Sequence, residues 1–373
     1  MKKILFFYGP NFRTIALETL INEVKNHGYD IEVLTLSQKG AFHDKLTEMG
    51  IKWTTFPFPQ EYSLRYYIKQ TWFFYKYCRA NTYHVVWSHL QPCNLAASIV
   101  QFFIPARFVI FRHHFHAIIK QRGLSAIAQN ERFIEWFTCS FAKELAVPSS
   151  EVYNGMVNYE SVNAEKIKII PYIYDFKAYP PLSIDAAKNL RKEYKCQLLL
   201  IMVSRLIPMK RHSLVLPVFN KLIREGHDIK VIIMDNGEEK ENLQRYVHDN
   251  NLSDRIFFKG FVTNVLEYMA ASDILIHPSF TDASSSALKE MGFLSKPVMV
   301  CQGVGDVDEY IVHNTNGWVI TPQDEASQFE QCIKDAYSNT TKIDTFGKKL
   351  KESVLAKFST NEATFSLYET KLK

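Results

Sequence analysis

Two carboxylates, Asp282 and Glu290, stand with seven residues between them, and Ser284, Ser285 and Ser286 fall inside that interval. An apolar strand ending at Pro278 precedes them and another, Pro297 to Cys301, follows, so both acids belong near the carboxyl ends of parallel strands, where open α/β sheets bind ligands. Arg205 and Lys210 lie at an earlier strand-to-loop junction. A guanidinium fork matches phosphate oxygens and a lysine adds a mobile point charge, so together they could stabilise a departing diphosphate in place of a metal. Serines opening the Glu290 helix leave backbone N–H groups and hydroxyls for phosphate or sugar oxygens, and one of them could serve as a plain cap. The set suits a diphosphate joined to a hydroxyl-rich group. Two carboxylates alone also fit acid/base hydrolysis, in which the two cations would have no purpose, and a solvated loop pair is the bland alternative for those cations.

A second cluster, Arg112, His113, His114 and His116, follows the apolar strand Phe108 to Phe111. A neutral imidazole there can hydrogen-bond a hydroxyl, and the spacing, with no carboxylate partner, is not that of a zinc site. Gly303-Val304-Gly305 lacks the third glycine of a dinucleotide fingerprint and reads as a turn, with Asp306, Asp308 and Glu309 beginning a helix. Tyr62 to Tyr83 interleaves Tyr, Trp and Phe with Arg65, Lys69, Lys76 and Arg79. That composition fits an interfacial helix on anionic lipid or a core helix with a solvated basic edge.

The elements that must hold these groups alternate. Lys3 to Tyr8 reads as a strand, Thr14 to Asn26 as a helix and Ile31 to Leu36 as a strand, a right-handed βαβ opening. Strands follow at Val85 to Ser88, Phe108 to Phe111 and Glu144 to Pro148, with a helix near Asn94 to Phe103. Ile167 to Pro181, with its three prolines, is the best linker. Alternation then restarts with strands at Leu198 to Val203, Ile229 to Met234, Ile256 to Phe258 and Ile274 to His277, and helices at His212 to Glu225, Lys240 to Asn250 and Asn264 to Ala271. The 373 residues thus divide into two α/β domains, 1–178 and 179–355, and a closing helix, 356–373, expected to cross back to the first domain behind a charged segment, Lys342 to Lys357.

Composition narrows the classes. Hydrophobic content of 47% with 22% charged residues is globular, and a net charge of +5 is too mild for nucleic acid yet compatible with an anionic small molecule or membrane surface. The six scattered cysteines form no metal or disulfide pattern, which fits reduced thiols in the cytoplasm. The opening apolar run is too short for a signal sequence, and Cys93 to Phe111 is too interrupted to span a bilayer. A cytoplasmic protein is expected; if the lipid reading of Tyr62 to Tyr83 holds, its membrane contact is peripheral.

The motifs VSRLIPMKRH (Val203 to His212), VIIMDNGEEKENLQRYV (Val231 to Val247), IFFKGFV (Ile256 to Val262) and SFTDASSSALKEMGFLSKPVMV (Ser279 to Val300) resemble glycosyltransferase family 4. KILFFYGP, HGYDIEVLTL, Arg112 to His114 and AEKIKIIPYIYD (Ala164 to Asp175) resemble it more loosely. The resemblance implies a GT-B fold, two Rossmann-like α/β domains facing across a cleft, and a retaining, metal-independent transfer from a nucleoside diphosphate sugar to a glycan, lipid-linked or small-molecule acceptor. It implies that Glu290 takes the ribose hydroxyls, that Asp282 and His113 or His114 stand by the transferred sugar, and that Gly9, Asp235 and Gly237 join the donor site. The family has Glu followed by Gly-Phe-Gly where this chain has Asp282 and Ala283-Ser284-Ser285. A non-catalytic nucleotide-sugar binder and a sugar-nucleotide epimerase are the alternatives on the same fold.

Overall fold

Parallel strands covered on both faces must be apolar nearly throughout, and β1 (Lys3–Tyr8) buries every residue after Lys3. In the computed structural model, which describes residues 2–58, 63–115, 127–179 and 181–372, this strand lies mid-sheet in the first of two units. That unit, Met1–Asp175 with Ser359–Lys373, continues through α1 (Ile15–Asn26), β2 (Asp30–Thr35), α2 (Ala41–Glu48), β3 (Lys52–Thr55), α3 (Leu64–Ala80), β4 (Val85–His89) and α4 (Cys93–Val100). It goes on through β5 (Arg107–Phe111), α5 (Gln129–Phe141), β6 (Leu145–Val147), α6 (Ser150–Asn158) and β7 (Ile167–Ile169). Its sheet runs β3-β2-β1-β4-β5-β6-β7, every pair parallel. The order reverses direction between β1 and β4.

The second unit, Phe176–Phe358, contains α7 (Ile184–Glu193), β8 (Leu198–Val203), α8 (His212–Arg224), β9 (Ile229–Met234), α9 (Lys240–Asp249), β10 (Ile256–Gly260) and α10 (Val265–Ala271). After these come β11 (Ile274–His277), α11 (Ser286–Phe293), β12 (Val298–Cys301), β13 (Trp318–Ile320), α12 (Glu325–Ser338) and α13 (Thr340–Phe358). Its sheet, β10-β9-β8-β11-β12-β13, is also all parallel, and its switch point lies between β8 and β11.

The chain then returns to the first unit as α14 (Glu362–Leu372). Tyr368 donates its hydroxyl to the Pro171 carbonyl, Lys371 pairs with Glu144, and Phe365 stacks on His27 with ring centroids 3.6 Å apart. Phe365, Tyr368 and Leu372 join the core formed by Ile4, Phe6 and Trp87.

Three sequence expectations change. Ile167–Ile169, expected within the linker, is the edge strand β7, pairing Leu145 with Ile167, so the connection begins beyond it. Lys342 to Lys357 is not a charged spacer but lies in the nineteen-residue helix α13, whose charges face outward while Phe346, Leu350 and Val354 are buried. Asp306, Asp308 and Glu309 do not open a helix; Val307–Glu309 makes one 3-10 turn. Tyr62 and His116 lie outside the described residues.

Candidate functional site

The switch point of the second unit gathers the residues expected at the diphosphate. From the end of β8 the chain passes Arg205, exposed and without an ion-pair partner among the described residues, to a 3-10 turn at Pro208–Lys210. Arg211, in left-handed backbone (φ 50°), then fastens this loop. Its guanidinium donates to both Glu325 oxygens at 2.7 and 2.9 Å and to the Pro278 carbonyl at 2.7 Å. The Phe280 N–H donates to the Met209 carbonyl at 2.9 Å, so the loops after β8 and β11 are locked together. Lys210 Nζ thereby reaches Asp282 Oδ2 at 2.6 Å, and His277 Nε2 lies 3.3 Å from the same oxygen. Burial alone would raise the Asp282 carboxyl, but His277 and Lys210 more than offset it and hold it well below the usual range.

Asp235 and Gly237 form the neighbouring loop after β9. Asp235 has φ 77°, donates its N–H to the Gly260 carbonyl at 2.7 Å, and accepts from the Asn236 N–H at 2.7 Å. Gly237 runs against the Leu206 backbone so closely that a Cβ there would collide with the Leu206 carbonyl. The Leu206 N–H donates to Asn236 at 3.0 Å and its carbonyl accepts from Glu239 at 2.9 Å, which fixes the backbone next to Arg205.

The three serines divide. Ser284 is buried; its hydroxyl donates to Asp306 Oδ2 at 2.6 Å and accepts from Lys289 Nζ at 2.8 Å, so it serves the loop rather than presenting a free hydroxyl. Ser285 occupies the position before α11 without capping it, and Ser286 is exposed, so the first N–H groups of α11 have no side-chain acceptor from Ser285. Gly305, at φ 61°, packs against the Asp282 and Ala283 carbonyls, each 3.2 Å from where a Cβ would sit. Glu290 is 8% exposed, and its one hydrogen-bond donor among the described side chains is the Tyr179 hydroxyl at 3.2 Å. Burial raises the Glu290 carboxyl, with Tyr179 lowering it in part.

His113, His114 and Gly9 belong to the first unit, at the ends of β5 and β1. His113 shares hydrogen bonds with His89 (3.0 Å) and the Tyr172 hydroxyl (2.5 Å), and burial, with His89 and His114 nearby, keeps it neutral well below the ordinary histidine value. His114 is exposed. Arg112 is buried against Glu135, Glu160 and Cys139 and acts as a fastening for α5 rather than as a ligand. The Gly9 carbonyl accepts from the Leu36 N–H (3.1 Å) and the Ser37 hydroxyl (2.8 Å). No group of three or more His, Cys, Asp or Glu side chains is placed to hold a metal ion among the described residues.

Sequence reasoning missed Tyr179, Arg211, His277, Lys289, His89 and Tyr172. Lys289 alone carried a signal, as a charge beside the apolar positions Leu288 and Met291.

The chain's likeness to known proteins follows both units. A family model described as glycosyl transferases group 1 matches residues 183–353, and one described as glycosyltransferase family 4 matches residues 15–177. Poly(ribitol-phosphate) α-N-acetylglucosaminyltransferase of Staphylococcus aureus is 18% identical over 245 residues, 66% of this chain and 49% of that protein. N-acetyl-α-D-glucosaminyl L-malate synthase of Bacillus anthracis is 29% identical over 188 residues, 49% of this chain and 48% of that one. The chain therefore spans about half the length of these curated relatives. The crystal structure of Anabaena HepE in complex with UDP-glucose matches with a TM-score of 0.79 at 19% identity, covering 100% of this chain and 98% of that one. With both halves matched by these families and the fold shared along its length, the chain belongs to glycosyltransferase family 4 and has the GT-B fold of two Rossmann-like α/β domains.

Proposed function

We propose that the protein moves a glycosyl group from a nucleoside diphosphate sugar, with UDP or GDP as the nucleotide, to a hydroxyl of a glycan, lipid-linked or small-molecule acceptor, with retention at the anomeric carbon. The observation that carries this reading is Glu290: a buried carboxylate with a single tyrosine donor among the described side chains has acceptor capacity to spare, which is costly unless hydroxyl groups fill it. It sits one turn into a helix whose first N–H groups are not capped by Ser285, beside a loop bearing Arg205 and Lys210. The ribose would fill Glu290, and the diphosphate would take the helix start and the two cations. As the bond from C1 to the β-phosphate oxygen breaks, the electron pair leaves with the diphosphate and Arg205 and Lys210 stabilise it, so that no metal is needed. The acceptor oxygen bonds to C1 on the same face and gives its proton to the departing phosphate. Asp282 orients hydroxyls of the transferred sugar. A relative named poly(ribitol-phosphate) α-N-acetylglucosaminyltransferase supports a polymeric acceptor, and the proposed role is surface polysaccharide synthesis, proposed to take place on the cytoplasmic side.

Thermal shifts with UDP, GDP, ADP and CMP, alone and as their sugars, test this. A ligand at 100 times its Kd stabilises by about 2.7 kcal/mol. A shift with one nucleotide that vanishes in Glu290→Ala and Arg205→Ala, followed by EDTA-resistant transfer, is the expected result. No shift with any nucleotide in a folded sample, or a donor altered without acceptor, overturns it.

A further inference from the structure

Away from this chemistry, α3, α4 and α5 of the first unit enclose an open groove of about 820 Å³ whose walls are almost wholly apolar. Leu64, Ile68 and Trp72 of α3 meet Phe103 and, from α5, Phe133 along it. All five are more than half exposed, which burial in a core would not allow. The opposite face of α3 supplies its packing through Tyr66, Gln70, Phe74 and Cys78, so the exposed stripe is not needed for the fold.

One position round the same helix, Arg65, Lys69 and Lys76 line a second cavity of about 690 Å³ beside Phe56 and Phe58, and Trp72 borders both cavities. Together with Arg79 these are the charges of α3, which has no acidic residue. Lys76 Nζ lies 5.0 Å from the Trp72 ring centroid, so a cationic tip stands on the aromatic side chain that borders both cavities. On α5, Glu131 is offset by Arg132, and Glu135 is taken by Arg112.

We propose that this face docks on an anionic lipid bilayer, with α3 lying in the interfacial plane, the groove receiving hydrocarbon chains and Arg65, Lys69 and Lys76 holding phosphate headgroups. An apolar stripe flanked by an all-cationic one is the charge and hydrophobic complement of such a surface. A second copy of the chain would set cation against cation. No helix among the described residues is long and apolar enough to cross a membrane, so the contact is peripheral. The inference does not rest on the transferase reading, and its test uses no nucleotide.

The full chain is floated with vesicles of phosphatidylcholine alone or mixed equally with phosphatidylglycerol, and its size is measured without lipid. Binding is expected to the anionic vesicles only. Each cation at such a surface contributes about fivefold in partitioning, so Lys69→Gln with Lys76→Gln should weaken it roughly 25-fold. Ile68→Ser with Trp72→Ser should weaken it roughly tenfold or more while the melting temperature is kept, since both side chains are already exposed. Failure of the folded wild type to float with anionic vesicles, equal binding to neutral ones, or unchanged binding of both double variants overturns the proposal. So does a dimer that the apolar variant converts to monomer without any vesicle binding.

Discussion

Lys289 Nζ lies 2.6 Å from Asp306 Oδ1, and neither side chain is more than 1% exposed. The pair joins α11 to the turn after β12, and Ser284 completes it from the loop bearing Asp282. The rings of Tyr310 and Phe358 close over the ammonium at 5.2 and 4.7 Å. The shape of the Asp282 loop therefore rests on charges that no ligand need touch.

Removing one member of a buried pair strands the other, at a cost of about 3–5 kcal/mol. Lys289→Met is expected to destabilise by that amount, read from urea midpoints. Lys289→Met with Asp306→Leu, which leaves no unpaired charge, should recover most of the loss.

Arg205 and Lys210 separate stability from function. Arg205 is exposed and has no ion-pair partner among the described residues, so Arg205→Ala should leave stability within about 0.5 kcal/mol of wild type while lowering kcat about 100-fold. Lys210→Ala should lower kcat similarly and, by removing the cation 2.6 Å from Asp282, raise the Asp282 carboxyl toward ordinary values, read as a changed acid limb of the rate profile. Equal kcat for Arg205→Ala and wild type would remove Arg205 from the diphosphate.

Glu290 should make nucleotide binding pH-dependent. Burial raises its carboxyl, with partial relief from Tyr179, above the unfolded value. A carboxyl raised in the folded state stabilises the fold most when protonated, so the empty protein loses stability as pH climbs from the unfolded value through the folded one. Hydroxyl donors favour the ionised form, so affinity for the nucleotide should rise over that window. Glu290→Gln should abolish the dependence and cost about 2 kcal/mol in binding, roughly 30-fold, by calorimetry.

In the first unit, burial pushes His89 down to about 3 and drives His113 in the same direction. The unfolded chain takes up their protons near pH 6.5 and the folded chain does not, so their contribution is complete above that pH and is lost as pH falls toward the folded values. The slope should be about 1.4 kcal/mol per pH unit for each histidine. Urea midpoints measured between these limits should lose about half of this combined slope in His89→Leu.

The α/β class, most strands and the placing of Asp282 and Glu290 after an apolar strand were legible because local patterns carry them: continuous apolar runs for buried parallel strands, and helical spacing at His212 to Arg224. The three-residue strands β6, β7 and β13 illustrate the limit. β6 came within a residue at each end, but β7 lay inside the expected linker, because so short a run has no periodicity and exists only through its neighbour's backbone.

What the sequence determined by itself was which residue types stand at strand ends. What tertiary structure decided was how they pair. Asp282 and Lys210 are distant in the chain and meet because Arg211 and the Met209 carbonyl tie two loops at one switch point. Ser284 looked like a ligand and became part of a buried ion cluster, while Lys289, to which the sequence assigned no role, is its centre. Such pairings depend on where desolvation is offset by a partner, and that is fixed only when separate strands and loops are brought within hydrogen-bond distance.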